Sequence, residues 1–339
     1  MATPGRRQYR EFMTKEEIFE MIAPPQADAD VVLAWLAKHD VTNCHHEGDA
    51  IKCPRVKVAT AQKLFKTKIY DYHTNEGSAP WHVMRAYGSA SIPETVHEKI
   101  DFVEGLVEFP MPRDITKTKR QNLKKPDDGI IAVASAQSLA ALYGWDVNEE
   151  IVYTPNETIQ MAMEFQGEAS FAYSDLEKFF RNSNLTNQGI CNVIGPFDSS
   201  YPSAESTLDV QYLAASGLGA TNWFYTTDQW MYYMTQDLFA MDTVPHVISM
   251  SYGWSEAQQC RIGGEACQQL GLDNDDYVKR INTEFQKLGL RGTSIFVSSG
   301  DSGVNGRTDG GCDDPTFHAT FPGGSPYVTS VGGTEMKPG

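Results

Sequence analysis

The chain has 339 residues, of which 44 are acidic and 28 basic, for a formal net charge of −16. That balance is the reverse of a nucleic-acid-binding surface, so nucleic acid is not expected as a partner. No run of eighteen apolar residues occurs, so neither a transmembrane helix nor a membrane partner is expected.

The length suits two domains or one large one. The N-terminus, Met1 to Arg10, is basic and has no apolar region of signal-peptide type. Thr14-Lys-Glu-Glu17 has capping-box spacing and predicts a short helix through Met21, ended by Pro24-Pro25. Asp30 to His39 sets Val31, Val32, Trp35 and Leu36 at helical spacing. Val41 to Cys53 reads as a hairpin turning at Glu47-Gly48-Asp49. Thr60 to Phe65 is a second short helix, Ile69 to His73 a strand, and Ile100 to Val107 closes the region. This mixture predicts a small α+β domain.

Pro110 to Asp128 differs in kind, with three prolines and the basic cluster Lys117, Lys119, Arg120 and Lys124-Lys125. It reads as a linker, and a basic linker is a ready protease target. The expected division is therefore residues 1–112, a linker over 113–128, and a second domain over 129–339.

In the second domain, helices are expected at Ser135–Tyr143, Ser174–Phe180, Ser203–Ala215 and Asp275–Leu288. Strands are expected at Thr158–Phe165, Val244–Tyr252 and Ser294–Val297, the last as a buried strand. The alternation predicts an α/β fold with a largely parallel sheet. Asp301 follows the last strand on the glycine-rich turn Gly300-Asp-Ser-Gly303. Ligands of open α/β sheets bind outside the carboxyl ends of strands, which makes Asp301 a candidate for chemistry. Glu205 and Asp209 stand four apart, on one face of a helix. Leu208, Val210 and Leu213 surround them, so that face is not expected to be fully solvated.

Cysteine usage points to an oxidising compartment. Cys44 with Cys53 and Cys260 with Cys267 are close pairs, and Asn156-Glu-Thr158 and Asn184-Leu-Thr186 are glycosylation sequons. A disulfide between Cys44 and Cys53 across the hairpin is favoured over a zinc site with His45 and His46. Adjacent histidines rarely fit one tetrahedral set.

Four motifs occur in order: Glu205-Ser-Thr-Leu-Asp209-Val-Gln-Tyr212, Ser249-Met-Ser-Tyr-Gly253, Ser299-Gly-Asp301-Ser-Gly303, and Phe321-Pro-Gly-Gly-Ser-Pro-Tyr-Val-Thr-Ser-Val-Gly-Gly-Thr334. Together they resemble the sedolisin family of serine-carboxyl peptidases, and most of all its lysosomal tripeptidyl peptidases. Cys44 to Cys53 and Ile100-Asp-Phe-Val-Glu-Gly-Leu106 resemble the propeptide of that group. The resemblance implies a subtilisin-like parallel-sheet catalytic domain, preceded by an α+β ferredoxin-like propeptide bound to its own catalytic domain. It implies hydrolysis of peptides or proteins at acidic pH, in a lysosomal or secreted setting. By motif match Glu205 is the general base, Asp209 its orienting partner and Asp301 the oxyanion-hole acid, with Tyr252 and Gly253 lining the substrate cleft. A carboxylate base with a pKa of roughly 4 suits acidic surroundings, where histidine is protonated. A protonated Asp301 can donate to a developing oxyanion, whereas an ionised one repels it.

One departure is plain. The family's nucleophile lies in a Gly-Thr-Ser-Ala-Ser motif, and Gly292-Thr-Ser294 matches only its start and precedes Asp301. The catalytic domain is therefore expected to be incomplete at Gly339, with the serine and the family's calcium site downstream and no metal site in this chain. Two rivals stand beside this expectation. Gly300-Asp-Ser-Gly303 is similar to the chymotrypsin-type nucleophile motif, with Ser302 attacking, but that fold is all-β. The other rival is an inactive relative acting as a binding or inhibitory protein.

Overall fold

The computed structural model describes residues 3–73, 82–101, 103–106, 134–145, 158–165, 169–262, 273–307 and 313–334. The expected linker, Asn156, Cys267 and Cys312 lie outside the described residues.

Helix α1, Lys15–Ile22, opens with the expected capping box. The Glu17 amide donates to Thr14 Oγ1 at 3.2 Å, and the Thr14 amide to Glu17 Oε2 at 2.8 Å. Pro25 caps α2, Gln26–Ala37, which starts earlier than the Asp30 expected from periodicity. Proline is pre-set for a helix start and needs no partner for an amide it lacks. Val32, Trp35 and Leu36 of α2 pack with Val41, Leu64 and Val96 into the core of the first domain. Strands β1, His45–Glu47, and β2, Ala50–Lys52, form the expected hairpin, and the Cys44–Cys53 disulfide closes it. That bridge occupies both thiols, so the zinc alternative is excluded. Helix α3, Val58–Leu64, leads to β3, Lys68–His73, which pairs antiparallel with β4, His82–Tyr87. The short α4, Glu94–His97, follows, and the Ala86 amide then donates to Leu106 O at 2.8 Å, so the chain near Leu106 runs beside β4.

The second domain contains a six-stranded, all-parallel sheet. Its strands are β5 (Ile159–Glu164), β6 (Asn192–Ile194), β7 (Thr221–Thr226), β8 (Val247–Met250), β10 (Ser294–Ser298) and β12 (Thr329–Val331), in the spatial order β6-β7-β5-β8-β10-β12. Between β8 and β12 in sequence, β9 (Trp254–Ser255) and β11 (Thr320–Phe321) form a separate antiparallel pair. The parallel sheet excludes the all-β chymotrypsin alternative.

Helices α5 (Ala136–Tyr143), α6 (Tyr173–Asn182), α7 (Ala204–Ser216), α8 (Met231–Ala240), α9 (Gln259–Ile262) and α10 (Asn274–Leu290) accompany the sheet. One core joins Met161, Met163, Ile248, Met250, Ile295 and Val297 of the strands to Met234, Leu238, Ile281, Phe285 and Leu288 of α8 and α10. A second joins Ala162 and Phe224 to Leu176 and Phe180 of α6 and Val210 and Ala214 of α7. Central β5 is buried along its whole length, as a strand covered on both faces must be. The expectation of a buried Ser294–Val297 strand is corrected. In β10 Ile295 and Val297 are buried, but Ser294 and Phe296 face outward, because among the described residues nothing covers that face of the strand. Strand β8 is shorter than Val244–Tyr252. Pro245 has no amide to donate, and Ser251 turns out of the ladder.

The two domains meet over α10. Asp49, in the β1–β2 turn, is 2.7 Å from Arg280 Nη2 and 3.0 Å from Lys287 Nζ. Fully buried Glu284 lies 2.9 Å from Arg280 and 2.6 Å from Lys287.

Candidate active site

All six strands point the same way, so their carboxyl ends share one edge of the second domain. Glu164 ends β5, Ser251 to Gly253 follow β8, and Asp301 follows β10. Helix α7 runs antiparallel to β5. Gln160, near the start of the strand, donates to Leu213 O in the last turn of the helix, whereas Ser206 in the first turn reaches Glu164 at the end of the strand. Ser203 caps that first turn by accepting from the Ser206 amide at 3.1 Å. The antiparallel crossing therefore delivers Glu205 and Asp209 to the carboxyl edge of the sheet.

The outermost of these acids is half-buried Glu205. Burial raises its pKa, the charges of Asp209 and Asp301 raise it further, and Arg307 opposes them, leaving it at about 7. The separate motifs thus meet in space. Glu205 stands above the ordinary carboxylate range because Asp209 and Asp301 share its partly desolvated surroundings. One turn deeper, burial also raises the pKa of Asp209, while hydrogen bonds with Ser251 and Glu164 lower it.

Glu164 is the residue that sequence reasoning missed. It is fully buried, and its Oε2 accepts from the Tyr252 hydroxyl at 2.8 Å and from Ser206 Oγ at 3.1 Å. Burial first, then the Asp209 charge, lifts its pKa well above the usual carboxylate range. The remaining buried oxygens, Glu164 Oε1 and Asp209 Oδ2, receive no other donor. A proton held by Glu164 and donated to Asp209 satisfies both, which is the arrangement two adjacent buried carboxyls require. The available sequence signal was a single acid ending an otherwise apolar strand, Ile159-Gln-Met-Ala-Met-Glu164.

Tyr252 is 3% exposed and turns inward to Glu164, so its ring does not line an open cleft. Gly253 is tightly enclosed: an added Cβ would lie 2.9 Å from Thr320 Cγ2. Its carbonyl accepts from Arg307 Nη1 at 3.2 Å, and the guanidinium lies 5.2 Å from the centre of the Trp254 ring. Burial lowers the Arg307 pKa, against the opposing charges of Asp301 and Glu205. Ser294 starts β10, at the amino-terminal end of that strand and so away from the carboxyl edge. Asn184 is exposed just beyond α6. Cys260 is disulfide-bonded, and Cys191 is a free, exposed cysteine. Among the described residues, no group of three or more His, Cys, Asp or Glu is placed to hold a metal. No described helix is long and apolar enough to cross a membrane.

Comparison with known proteins follows the same division. Residues 1–109 match the family described as Pro-kumamolisin, activation domain. Physarolisin of Physarum polycephalum is 33% identical over 333 residues, covering 98% of this chain and 55% of that protein. Tripeptidyl-peptidase 1 of Canis lupus familiaris is 27% identical over 359 residues, covering 99% of this chain and 58% of that protein. The chain thus spans little more than half the length of these curated relatives. A solved structure, Pseudomonas sedolisin complexed with two molecules of pseudo-iodotyrostatin, overlaps 51% of this chain and 47% of that chain, with 21% identity and a TM-score of 0.38.

Proposed function

Because the chain belongs to the sedolisin family of serine-carboxyl peptidases, we propose that it supplies the activation domain and the carboxylate side of an acid-acting peptidase site. The observation that carries this reading is the convergence of Glu205, Asp209 and Asp301 from two sequence motifs onto one edge of the sheet. Glu205 is the general base that takes the proton of an attacking serine hydroxyl. Asp209, hydrogen-bonded by Ser251 and Glu164, orients Glu205 and shares charge with it. Asp301, once protonated, donates to the developing oxyanion. Tyr252 and Gly253 contribute to the substrate cleft through their backbone.

A base with a pKa of about 7 accepts a proton more readily than an ordinary carboxylate. Glu205 must be ionised to act, and the neighbouring Arg307 charge favours that form.

The serine is supplied by the polypeptide that the longer relatives possess beyond the part matched here, and any calcium is held outside the described residues. On this reading the chain by itself is inactive. The substrates are peptides or proteins, with tripeptide release as the finer expectation. The activation domain occupies its own catalytic domain until the basic linker is cut. The Cys44–Cys53 disulfide and exposed Asn184 favour an oxidising, lysosomal or secreted setting and a glycosylated protein.

The test is to express residues 1–339 alone and together with the downstream segment, acidify both, and assay tripeptide release from an unblocked peptide. Activity only in the longer protein, abolished by Glu205→Ala, supports the reading. Turnover by residues 1–339 that is abolished by Glu205→Ala places the nucleophile inside the chain, with Ser302 and Ser294 the next suspects. Silence from both forms favours the inactive binding or inhibitory protein.

A further inference from the structure

The activation domain is attached to the peptidase domain in two physically different ways. One attachment is ionic. Asp49 meets Arg280 and Lys287, and Asp101 lies 2.9 Å from Arg280. The groups facing this cluster are Glu284 of α10, Glu104, and Tyr232 and Gln236 of α8, the last donating to Glu284 at 2.8 Å. The other attachment is largely apolar and lies at the very start of the chain. Ile18 of α1 is 0% exposed and belongs to the peptidase core, in the cluster with Leu238, Phe239 and Leu288. The core of the activation domain proper, around Trp35 and Val41, is a separate cluster.

Residues 12–22 lie in a groove between the carboxyl-terminal ends of α8 and α10. Phe19 packs edge-on to Phe239 at 5.2 Å, and Met13 and Ile22 pack against the same core. The Met13 amide donates to Leu290 O at 2.9 Å, and Lys15 Nζ to Ala240 O at 3.0 Å. These carbonyls lie at helix ends, where intrahelical partners run out. Phe12 covers Gly292, where a Cβ would lie 2.6 Å from the ring. Gly292 has φ +95°, so a glycine is required there for two reasons. The charged groups on this segment are few. Lys15 reaches exposed Asp242 at 3.4 Å, Glu16 faces Arg291, Glu17 turns back to Thr14, and Glu20 is exposed. One contact runs the other way: the Phe19 ring also covers Gly48 of the hairpin turn. Pro24-Pro25 separates α1 from the remainder of the domain.

We propose that the α8–α10 groove is a binding site for an amphipathic helix, occupied by residues 12–22, and that this segment stays seated when the rest of the activation domain leaves. The reason is a difference in how the attachments respond to acid. Protonating Asp49 or Asp101 removes ion pairs to Arg280 and Lys287, leaving basic groups in a partly desolvated interface. Burial of Ile18, Phe19 and Met13 involves no titratable group. Lifting the segment out also strips Ala240 O and Leu290 O of their donors and leaves an isoleucine-sized hole in the peptidase core. The departure of residues 26–112 is taken from the proposed function, whereas the seating of residues 12–22 is independent of it.

The test uses the 339-residue chain, with one specific protease site inserted between Ala23 and Gln26 and a second within residues 113–128. The folded protein is cut at neutral pH, then acidified below the carboxylate range in added salt and separated by gel filtration with mass detection. Fragment 1–23 is expected to elute with the peptidase body in at least about tenfold excess over its amount with fragment 26–112. Ile18→Asp is expected to reverse that ratio, whereas Asp49→Asn releases 26–112 at milder pH and leaves 1–23 in place. Elution of 1–23 free or with 26–112 overturns the proposal, as does a complex that stays whole. The measurement needs no turnover, so a failed peptidase assay leaves its outcome untouched.

Discussion

The carboxyl groups of Glu164 and Asp209 are neighbours, one delivered by the end of β5 and the other by the second turn of α7, and each keeps one buried oxygen that only a shared proton would satisfy. The pair ties the central strand to the helix that carries Glu205. Glu164→Ala leaves the Tyr252 and Ser206 hydroxyls without their acceptor and Asp209 with Ser251 as its remaining partner. It is expected to lower stability by about 3 kcal/mol. Glu164→Gln keeps an acceptor and a donor and is expected to cost about 1 kcal/mol. Urea unfolding of the two variants checks the order, and equal losses would remove the shared proton from the account.

Glu205 sets a pH signature. Its folded pKa, about 7, stands above the ordinary 4.5. The folded state therefore holds this proton more tightly than the unfolded chain. The resulting stability is fully present below the unfolded value and is lost as pH rises through the folded one. Glu205→Gln is expected to flatten the fall in Tm between acidic and neutral pH, by about 2 °C, a modest figure because the group is partly solvated. Arg307→Ala removes the charge that lowers the Glu205 pKa, so the titration midpoint, followed by NMR of the carboxyl carbon, should rise. A fall would show that Arg307 faces elsewhere.

Asp49 is the acid on which the ionic half of the domain contact turns, at 16% side-chain exposure and within 3.0 Å of Lys287. Asp49→Ala removes the one described acid of the activation domain that meets both Arg280 and Lys287, leaving Glu284 to pair with Lys287 and exposed Asp101 to link Arg280 across the domains. It is expected to weaken docking by about 3 kcal/mol. Hydrogen exchange should accelerate at residues 45–52 while the sheet of the second domain stays protected. Unchanged exchange in the hairpin would make this contact energetically neutral.

The Cys44–Cys53 bridge closes a short loop, with a sequence separation of 9. Replacing both cysteines by serine is expected to cost roughly 2–3 kcal/mol on loop-entropy grounds. The loss should be confined to the first unfolding transition seen by calorimetry. A shift of the second transition instead would tie the hairpin into the peptidase core.

Much of the fold was legible because local rules and tertiary packing agree. The Thr14–Glu17 capping box, the Gly48-Asp49 turn and the apolar spacing of α2 each state their structure within a few residues. Strand β7 and helix α8 carried no such punctuation. Thr221-Asn-Trp-Phe-Tyr-Thr226 is buried at four of its six positions and so shows little alternation, whereas α8 buries Met231, Met234, Thr235, Leu238 and Phe239 at helical spacing, a period blurred in the sequence by Thr235 on the buried face and aromatic Tyr233 on the exposed one. In the candidate site, Glu205, Asp209 and Asp301 stood out through motif and spacing. Glu164 did not, since its role comes from what packs over the end of β5, and the inward turn of Tyr252 follows from the same contact. The size and direction of the shift at Glu205 could not be read locally for a related reason. A pKa depends on neighbours that approach only after folding.

The side of the sheet that no described residue covers has a consequence for how these residues behave in solution. Every residue of β12 is exposed, Val331 is 52% exposed, and Phe296 on adjacent β10 is 39% exposed. Among the described residues β12 pairs only with β10, so its outer backbone groups have no strand beside them. An open edge next to surface aromatic and aliphatic groups is a template for adding a strand from another molecule. Residues 1–339 purified alone are therefore expected to self-associate with rising concentration in sedimentation experiments, and Val331→Lys to suppress it, since a lysine on an edge cannot be stacked against its like without repulsion.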